Sequence, residues 1–465
     1  MQTREVTIIE NVAVLSLDEK IGELDNADIT ISGGRIQGIR PAPADRGPTA
    51  EGTPGAQVID GRGLIALPGF VDTHRHTWQS AIKHSYAELD PRVYFAEVLK
   101  GLGASYQPED VYIGNKLGSY AALSSGTTTL FDWSHVQNSP EHSDAAIAGL
   151  HESGIRAVFG HGWPTSPDDS WTNRSVKPHP QDIRRVQKEY FSNGDYDGRI
   201  SLAMVVRGPE EAAPDIWRSE IEEARELGLR ISVHAGAYER NAHIAAVQQY
   251  ADARLLGPDM TFVHCNHLTD RELRHIADNG GTVSLGVHCE MNSQGIGEIP
   301  FHRLLKAGLR PSLSGDTETK CTGDMFTQMR MLWAYHRSTL TRLGSERAAD
   351  IPPVTMRDIL RYATLEGAKA IGKESEIGSL TPGKRADILL IDTNALNLGP
   401  VQDPAASIVL AAHEGNVRHV LVGGTFAKRN GVLTGTRSEE LVDEARRSQH
   451  RLLERAHNLK TAAAV

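Results

Sequence analysis

The stretch Leu67-Pro68-Gly69-Phe70-Val71-Asp72-Thr73-His74-Arg75-His76 decides how this chain is read. Ala66 to Val71 is an apolar run of the kind that forms a short buried strand, and two histidines follow it with one residue between them. On an extended backbone, residues i and i+2 point to the same side. His74 and His76 can therefore aim both imidazoles at one point, as two ligands of a single metal ion must. His-x-His also arises by chance in polar loops, so its meaning depends on what the rest of the chain supplies.

Outward from this pair the chain has two textures. Upstream, residues 4 to about 65 alternate short β-prone runs with turns: Val6 to Ile9, Val12 to Leu15, Ala27 to Ile31 and Arg35 to Ile39, with Ser32-Gly33-Gly34 as a hairpin turn. Pro41 to Gly55, rich in Pro, Ala and Gly, reads as a surface loop. From Gly63 onward, strands alternate with segments long enough for a helix, the mark of βα units. The expected strands are Leu64 to Val71, Thr127 to Phe131, Ile155 to Phe159, Ile200 to Val206, Arg230 to Val233, Met260 to Val263, Thr282 to Leu285 and Pro311 to Leu313. Parallel strands in that number, each with a crossover helix, close into a (β/α)8 TIM barrel. An open doubly wound sheet is the alternative, but no Gly-rich phosphate fingerprint follows the first strand.

After helical patterns around Met325 to Arg342 and Thr355 to Ile371, the β texture returns. Ile388 to Ile391, Val417 to Val422 and Thr425 to Lys428 are expected strands, the last two joined at Gly423-Gly424. The two β regions are expected to meet in one small β-sandwich domain beside the barrel. This gives residues 1–65 and 376–436 to the sandwich, 66–375 to the barrel, and 437–465 to a charged C-terminal helix suited to solvent or subunit contact.

Composition narrows the function. Hydrophobic residues at 39% and charged residues at 23% suit a soluble globular enzyme, and a net charge of -10 offers no basic stripe for nucleic acid. No apolar run approaches a membrane span, and the early residues lack the apolar core of a signal peptide. Cys265, Cys289 and Cys321 are odd in number and widely spaced, which suits reduced thiols in the cytoplasm.

In a barrel of this kind the active site lies at the C-terminal ends of the strands. There this chain places His74 and His76, then Asp132-Trp133-Ser134-His135, His161-Gly162-Trp163, Arg207, His234, His264-Cys265-Asn266-His267, His288-Cys289-Glu290 and Asp316. One histidine after a strand is usually a hydrogen-bonded loop residue. His or Asp after seven of the eight expected strands is hard to obtain that way.

This pattern resembles the amidohydrolase superfamily, in its cytosine deaminase and triazine hydrolase branch, over nearly the whole chain. Pro68 to His76 is similar to the family's first-strand motif, Ser232-Val233-His234 to its fifth-strand ligand, Val263-His264-Cys265 to its sixth-strand histidine and Ser314-Gly315-Asp316 to its eighth-strand aspartate. Ala363 to Gly372, with Gly378 and Pro382-Gly383-Lys384-Arg385-Ala386-Asp387, is similar to its closing signature. No lysine stands at the end of the fourth strand, where dinuclear members carry a bridging one. The resemblance therefore implies one divalent metal ion per subunit, with His74, His76, His234 and Asp316 as ligands and His264 bound or just beside it. Zinc leads, with iron(II) or cobalt as alternatives. A homo-oligomer is also what the resemblance implies.

Such an ion with an open position lowers the pKa of its bound water. Asp316 can then serve as general base and later general acid, and His264 can stabilise developing charge. This suits hydrolytic attack on an sp² carbon bearing nitrogen, foremost deamination of a planar N-heterocycle.

One departure weighs against that substrate class. Many aminohydrolases of the branch carry a glutamate three residues after the fifth-strand histidine, to protonate a ring nitrogen. Here that position is Ala237, and Glu290 is the candidate replacement, or else a structural carboxylate beside a base. Ala237 keeps open an acyclic urea, carbamate, thiocarbamate or amide, whose leaving amine Asp316 alone can protonate. Displacement of chloride from a heteroaryl ring is a third reading, and a non-catalytic relative a fourth. Trp78, Gln79, Trp133, His135, His161 and His288 are the candidate substrate contacts, with Trp163 and Met291 as further apolar wall. Arg207 alone makes no phosphate cluster, and Met291 to Gly297 reads as a loop over the site.

Overall fold

Strand by strand, β-branched and apolar residues build two separate sheets in the computed structural model, which describes residues 6–43, 55–88 and 93–463. The opening residues and most of the loop expected at Pro41 to Gly55 lie outside the described residues. The N-terminal part supplies β1 (Val6–Leu15), β2 (Glu23–Ser32), β3 (Arg35–Pro41), β4 (Ala56–Asp60) and β5 (Leu64–Pro68). The barrel strands are β6 (Phe70–Arg75), β7 (Thr127–Ser134), β8 (Arg156–His161), β9 (Ile200–Val206), β10 (Arg230–Ala235), β11 (Met260–His264), β12 (Thr282–Leu285) and β13 (Ser312–Leu313). They pair in sequence order and in parallel, as expected of a (β/α)8 barrel. The ring closes between β6 and the residues just past β13, where Arg75 and Asp316 form a parallel bridge.

The C-terminal part adds β14 (Ile388–Asp392), β15 (Val417–Val422), β16 (Thr425–Arg429) and β17 (Val432–Leu433). These join β1 to β5 in one mixed sheet of nine strands, in which β14 lies between β5 and β15. The expected sandwich is thus a single continuous sheet around its own apolar cluster, which includes Ile9, Val12, Ile29, Ile31, Ala66, Ile388 and Leu390. Register shifts in β1 at Val12 and Val14 supply bends of the kind that let a sheet curve.

The expected first barrel strand, Leu64 to Val71, divides in two. Leu64–Pro68 pairs with β14 and β1 in the nine-stranded sheet, and only Phe70 onward pairs with β7. Gly69 makes the handover, because a Cβ there would run into the Thr128 side chain. The boundary between the sheets therefore falls at residue 69, not 65.

The C-terminal helix, Ser438–Ala463, buries Leu441, Ala445, Ser448, Leu452 and Ala456 along one face, the spacing of an amphipathic helix. It lies against the helix Pro108–Ser124: Ser448 Oγ donates to Asp110 Oδ1 (2.6 Å), and Arg455 pairs with the other oxygen of the same buried carboxylate. Among the described residues no helix is long and apolar enough to cross a membrane.

Candidate metal centre and substrate cavity

The barrel's closing seam fixes the first ligands. Asp316 N–H donates to the His74 carbonyl and His76 N–H to the Asp316 carbonyl, both at 2.9 Å. Behind them, Asp72 Oδ1 accepts from Gly315 N–H (3.0 Å), and Asp72 Oδ2 pairs with Arg75 Nε (2.8 Å). Arg75, fully buried, continues to Glu318, which also holds Ser80 Oγ (2.6 Å) and Lys83 (3.0 Å). This charged brace was not assigned from the sequence, although Asp72 and Arg75 sit inside the motif that carried the reading.

In front of the brace, imidazole Nε2 atoms converge. His74 Nε2 lies 3.3 Å from His234 Nε2 and 3.3 Å from Asp316 Oδ1; His76 Nε2 lies 3.4 Å from the same oxygen, and His264 Nε2 lies 3.9 Å from Asp316 Oδ2. Partners on the far side set two of the tautomers. His76 Nδ1–H donates to the Trp133 carbonyl (3.2 Å) and His264 Nδ1–H to Glu290 Oε1 (3.1 Å), which leaves each Nε2 as the inward atom. Burial, the largest influence, pushes His74 below its ordinary pKa, and with help from neighbouring imidazoles holds His76 and His234 well below it. Burial also opposes charge on His264, but Glu290 and Asp316 outweigh it and raise its pKa. Asp316 stays well below the usual carboxylate range, since the surrounding histidines overcome the cost of burial.

These residues fit a divalent cation. Donor atoms of His74, His234 and His264 form one compact group and those of His74, His76 and Asp316 another, joined through His74. The His74 and His234 nitrogens meet with no polar group between them, and neutral imidazoles with one carboxylate are the donor set such an ion prefers. The backbone at His264 (φ 77°), Cys265 (φ 67°) and Asp316 (φ 51°) is left-handed, a costly conformation for these residue types and one that clusters at functional sites.

The group opens into a cavity of about 500 Å³, within the range of small-molecule sites. Trp133, Trp163, Trp171, Tyr94, Phe95 and Tyr238 give it aromatic walls, and His135, Ala237, Glu210 and Glu211 also face it. Of the six expected contacts, Trp133 and His135 line it. Trp78 packs edge-on against Tyr106, 4.8 Å between ring centres, off the cavity wall. Gln79 acts from behind, donating to Tyr94 Oη (2.9 Å) and accepting from Thr317 Oγ1 (2.5 Å), both of which line the cavity. His161 turns away to His179, with Nδ1 and Nε2 3.0 Å apart, near Asp182 and Glu220. His288 accepts from Thr322 N–H (3.3 Å) outside the cavity.

Glu290 is also off the wall. Besides His264 it accepts Gly286 N–H (2.9 Å). Met291 is half exposed rather than part of the wall. The segment expected as a loop from Met291 to Gly297 begins inside the helix Val287–Asn292, and Ser293 and Ile296 are buried against the cavity. Trp171, Tyr94, Tyr238, Glu210 and Glu211 were not anticipated. Trp171 and Tyr94 stand far from any strand end in sequence, while Tyr238, Glu210 and Glu211 follow β10 and β9 within about a turn but carry no motif that marks them.

A sequence profile of the amidohydrolase family matches residues 65–427. The chain is 28% identical over 407 residues to a 5'-deoxyadenosine deaminase of Methanobrevibacter smithii, covering 86% of this chain and 89% of that protein. It is 27% identical over 466 residues to a 5-methylthioadenosine/S-adenosylhomocysteine deaminase of Symbiobacterium thermophilum, covering 97% and 99%. Among solved structures, an adenosine deaminase from Xanthomonas campestris with bound zinc superposes with a TM-score of 0.78 at 22% identity, over 96% of this chain and 98% of that one. Atrazine chlorohydrolase from Arthrobacter aurescens complexed with zinc gives 0.79 at 19%, over 96% and 100%. At these identities the two structures speak for the fold alone.

Proposed function

The chain belongs to the amidohydrolase family and is a hydrolase of carbon–nitrogen bonds other than peptide bonds, and from that premise we propose a mononuclear metal-dependent deaminase of an N-heterocycle. One observation carries the reading: four imidazoles and the Asp316 carboxylate converge at a cavity whose aromatic walls include Trp133 and Trp163, set edge to face against each other, surroundings suited to a planar ring. The relatives are named for adenosine derivatives, so purine nucleosides are the first substrates to test.

His74, His76, His234 and Asp316 would hold one ion, zinc before iron(II) or cobalt, with His264 bound or beside it. When bound, such an ion lowers the pKa of a water molecule toward neutrality and draws electron density from the carbon under attack. The rest is the work of side chains. Asp316 takes a proton from the attacking water and passes it to the leaving nitrogen. His264, held by Glu290, faces the charge that develops as the carbon becomes tetrahedral. The indole walls orient the ring and keep bulk water from it. The same reading has the enzyme in the cytoplasm as a homo-oligomer, without nucleic-acid or membrane partners.

Ala237 favours a second reading, an acyclic urea, carbamate, thiocarbamate or amide, because no glutamate stands three residues after His234 to protonate a ring. Both are tested by presenting metal-loaded protein with adenosine derivatives, other amino-heterocycles, ureas and carbamates, and assaying ammonia and amine separately. Ammonia from a heterocycle is the expected result. Amine alone favours the second reading. Absence of bound metal and of turnover, with no rescue by zinc or iron, identifies a non-catalytic relative.

A further inference from the structure

We propose that Glu211 exchanges a proton with the substrate's ring nitrogen, in place of the glutamate absent at Ala237; this rests on the deaminase reading above. The short turn Gly208–Glu211 follows β9 and is fastened to the segment that carries Ala237. Glu210 Oε1 accepts Gly236 N–H (2.5 Å), and its Oε2 accepts Asn241 Nδ2–H (2.7 Å). Glu210, Glu211 and Ala237 therefore share one part of the cavity that His234, His264 and Asp316 also line. The methyl group of Ala237 leaves open the space that a longer side chain there would fill.

The two adjacent carboxyls are in different situations. Glu210 is committed to its two donors; burial raises its pKa, and the two donors offset that only in part. The Glu211 carboxyl makes no hydrogen bond or ion pair among the described residues, and it faces the cavity. The charged groups around it are Glu210, Glu220, Arg207 and Arg240. Arg207 is held by Glu220 (Nε to Oε1, 2.8 Å), and Arg240 lies over the rings of Tyr238 (4.5 Å) and Phe95 (5.2 Å), so neither cation neutralises Glu211 directly. Burial, then the charge of Glu210, pushes Glu211 up to about 8, so it carries its proton at neutral pH. Glu290 cannot take this part, since His264 and Gly286 occupy it behind the wall.

In the step, the water oxygen bonds to the amino-bearing carbon while Asp316 accepts one of the water's protons. The C=N π pair moves onto the ring nitrogen, which takes the proton of Glu211. On collapse, Asp316 gives its proton to the amino group, the C–N bond breaks and ammonia leaves. The hydroxyl proton of the adduct returns to Glu211 as the new carbonyl forms, so the ring nitrogen keeps its hydrogen in the product and both carboxyls are reset.

The test compares the metal-loaded enzyme with Glu211→Gln and with Glu211→Gln combined with Ala237→Glu. In Glu211→Gln, kcat for a heterocyclic amine falls about 100-fold or more, the range for loss of a general acid, while bound metal is unchanged. The double variant recovers at least about a tenth of the lost kcat, on the same footing. Independently of turnover, infrared titration of the unsubstituted protein shows a carboxylic-acid carbonyl band that disappears near pH 8, and Glu211→Gln lacks that step. Ammonia release that persists within twofold in Glu211→Gln, or an unchanged infrared titration, overturns the role of Glu211 and leaves the deaminase reading standing. An unsubstituted enzyme that releases amine but never ammonia overturns the deaminase reading, and this role with it.

Discussion

Glu290 touches His264 and not the cavity, so its substitution measures how much of the reaction depends on the orientation of one imidazole. Glu290→Gln keeps an oxygen for the His264 Nδ1–H but removes the charge behind it. The expected outcome is a kcat lower by about 10- to 100-fold, typical for a partner behind a reacting group, with metal content and KM nearly unchanged. Steady-state kinetics beside metal analysis check this, and near-normal turnover would exclude the role. The convergence of His74, His76, His234, His264 and Asp316 was legible because their positions are set by backbone geometry: the i, i+2 spacing of the first two, and the places of the others at or just past the ends of their strands. His161 was misread for the same reason. It ends β8, but it shares parity with Ala157 and Phe159, which pack in the core between barrel and helices. Val158, of opposite parity, joins Phe131, Trp133 and Val205. Side-chain alternation, and not position at the end of the strand, decides which face His161 takes. Glu211 had no comparable signal, since a carboxyl one turn past a strand looks like any solvated charge.

At the scale of elements, Leu64 to Val71 shows what an apolar pattern cannot divide. Both halves are β-prone and buried, and the break between sheets is carried only by Pro68-Gly69 and by partners more than fifty residues away, such as Thr128 and Leu389. The C-terminal helix was legible as a charged helix, but its docking was not, because the anchor is a buried carboxylate on another helix. Arg455 pairs with Asp110, and its Nε donates to the Ser105 carbonyl (3.1 Å). Arg455→Ala leaves Asp110 with Ser448 and the Gln107 N–H, a partial compensation. We expect a loss of about 1–3 kcal/mol, the cost of depriving a buried group of a partner, seen as a lower denaturant midpoint and faster proteolysis within residues 438–463. Equal midpoints and proteolysis rates would show the helix to be held by its apolar face alone.

Over the whole molecule, buried histidines set the acid limit of stability. Burial holds His179, His302 and His419 at about 4, against 6.5 in an exposed imidazole. Their folded-state pKa lies below the unfolded value, so they contribute stability that is full above about 6.5 and is lost as pH falls toward 4. In metal-free protein these histidines are therefore expected to lower the melting temperature across that interval, while Glu211 and Asp132, raised to about 8 and about 7, act in the opposite sense. His302→Gln is expected to flatten part of the decline. A pH dependence of the melting temperature identical in His302→Gln and the unsubstituted protein would refute the assignment of His302.

The closing seam has a further consequence. β13 has only two residues, and beyond it the ring is joined by the paired hydrogen bonds between Asp316 and the backbone of His74 and His76. The side chains of these same three residues converge, so an ion held among them would latch a joint that the backbone closes only thinly. Hydrogen exchange should reveal this. The amides of His76 and Asp316 are expected to exchange slowly in zinc-loaded protein and much faster after chelation, while those of β14 and β15 keep one rate in both states. Equal rates at the seam would mean that the barrel stays shut without help. If the rates diverge, loss of the ion leaves the barrel ajar, and proteases are then expected to clear metal-free chains while sparing the loaded ones.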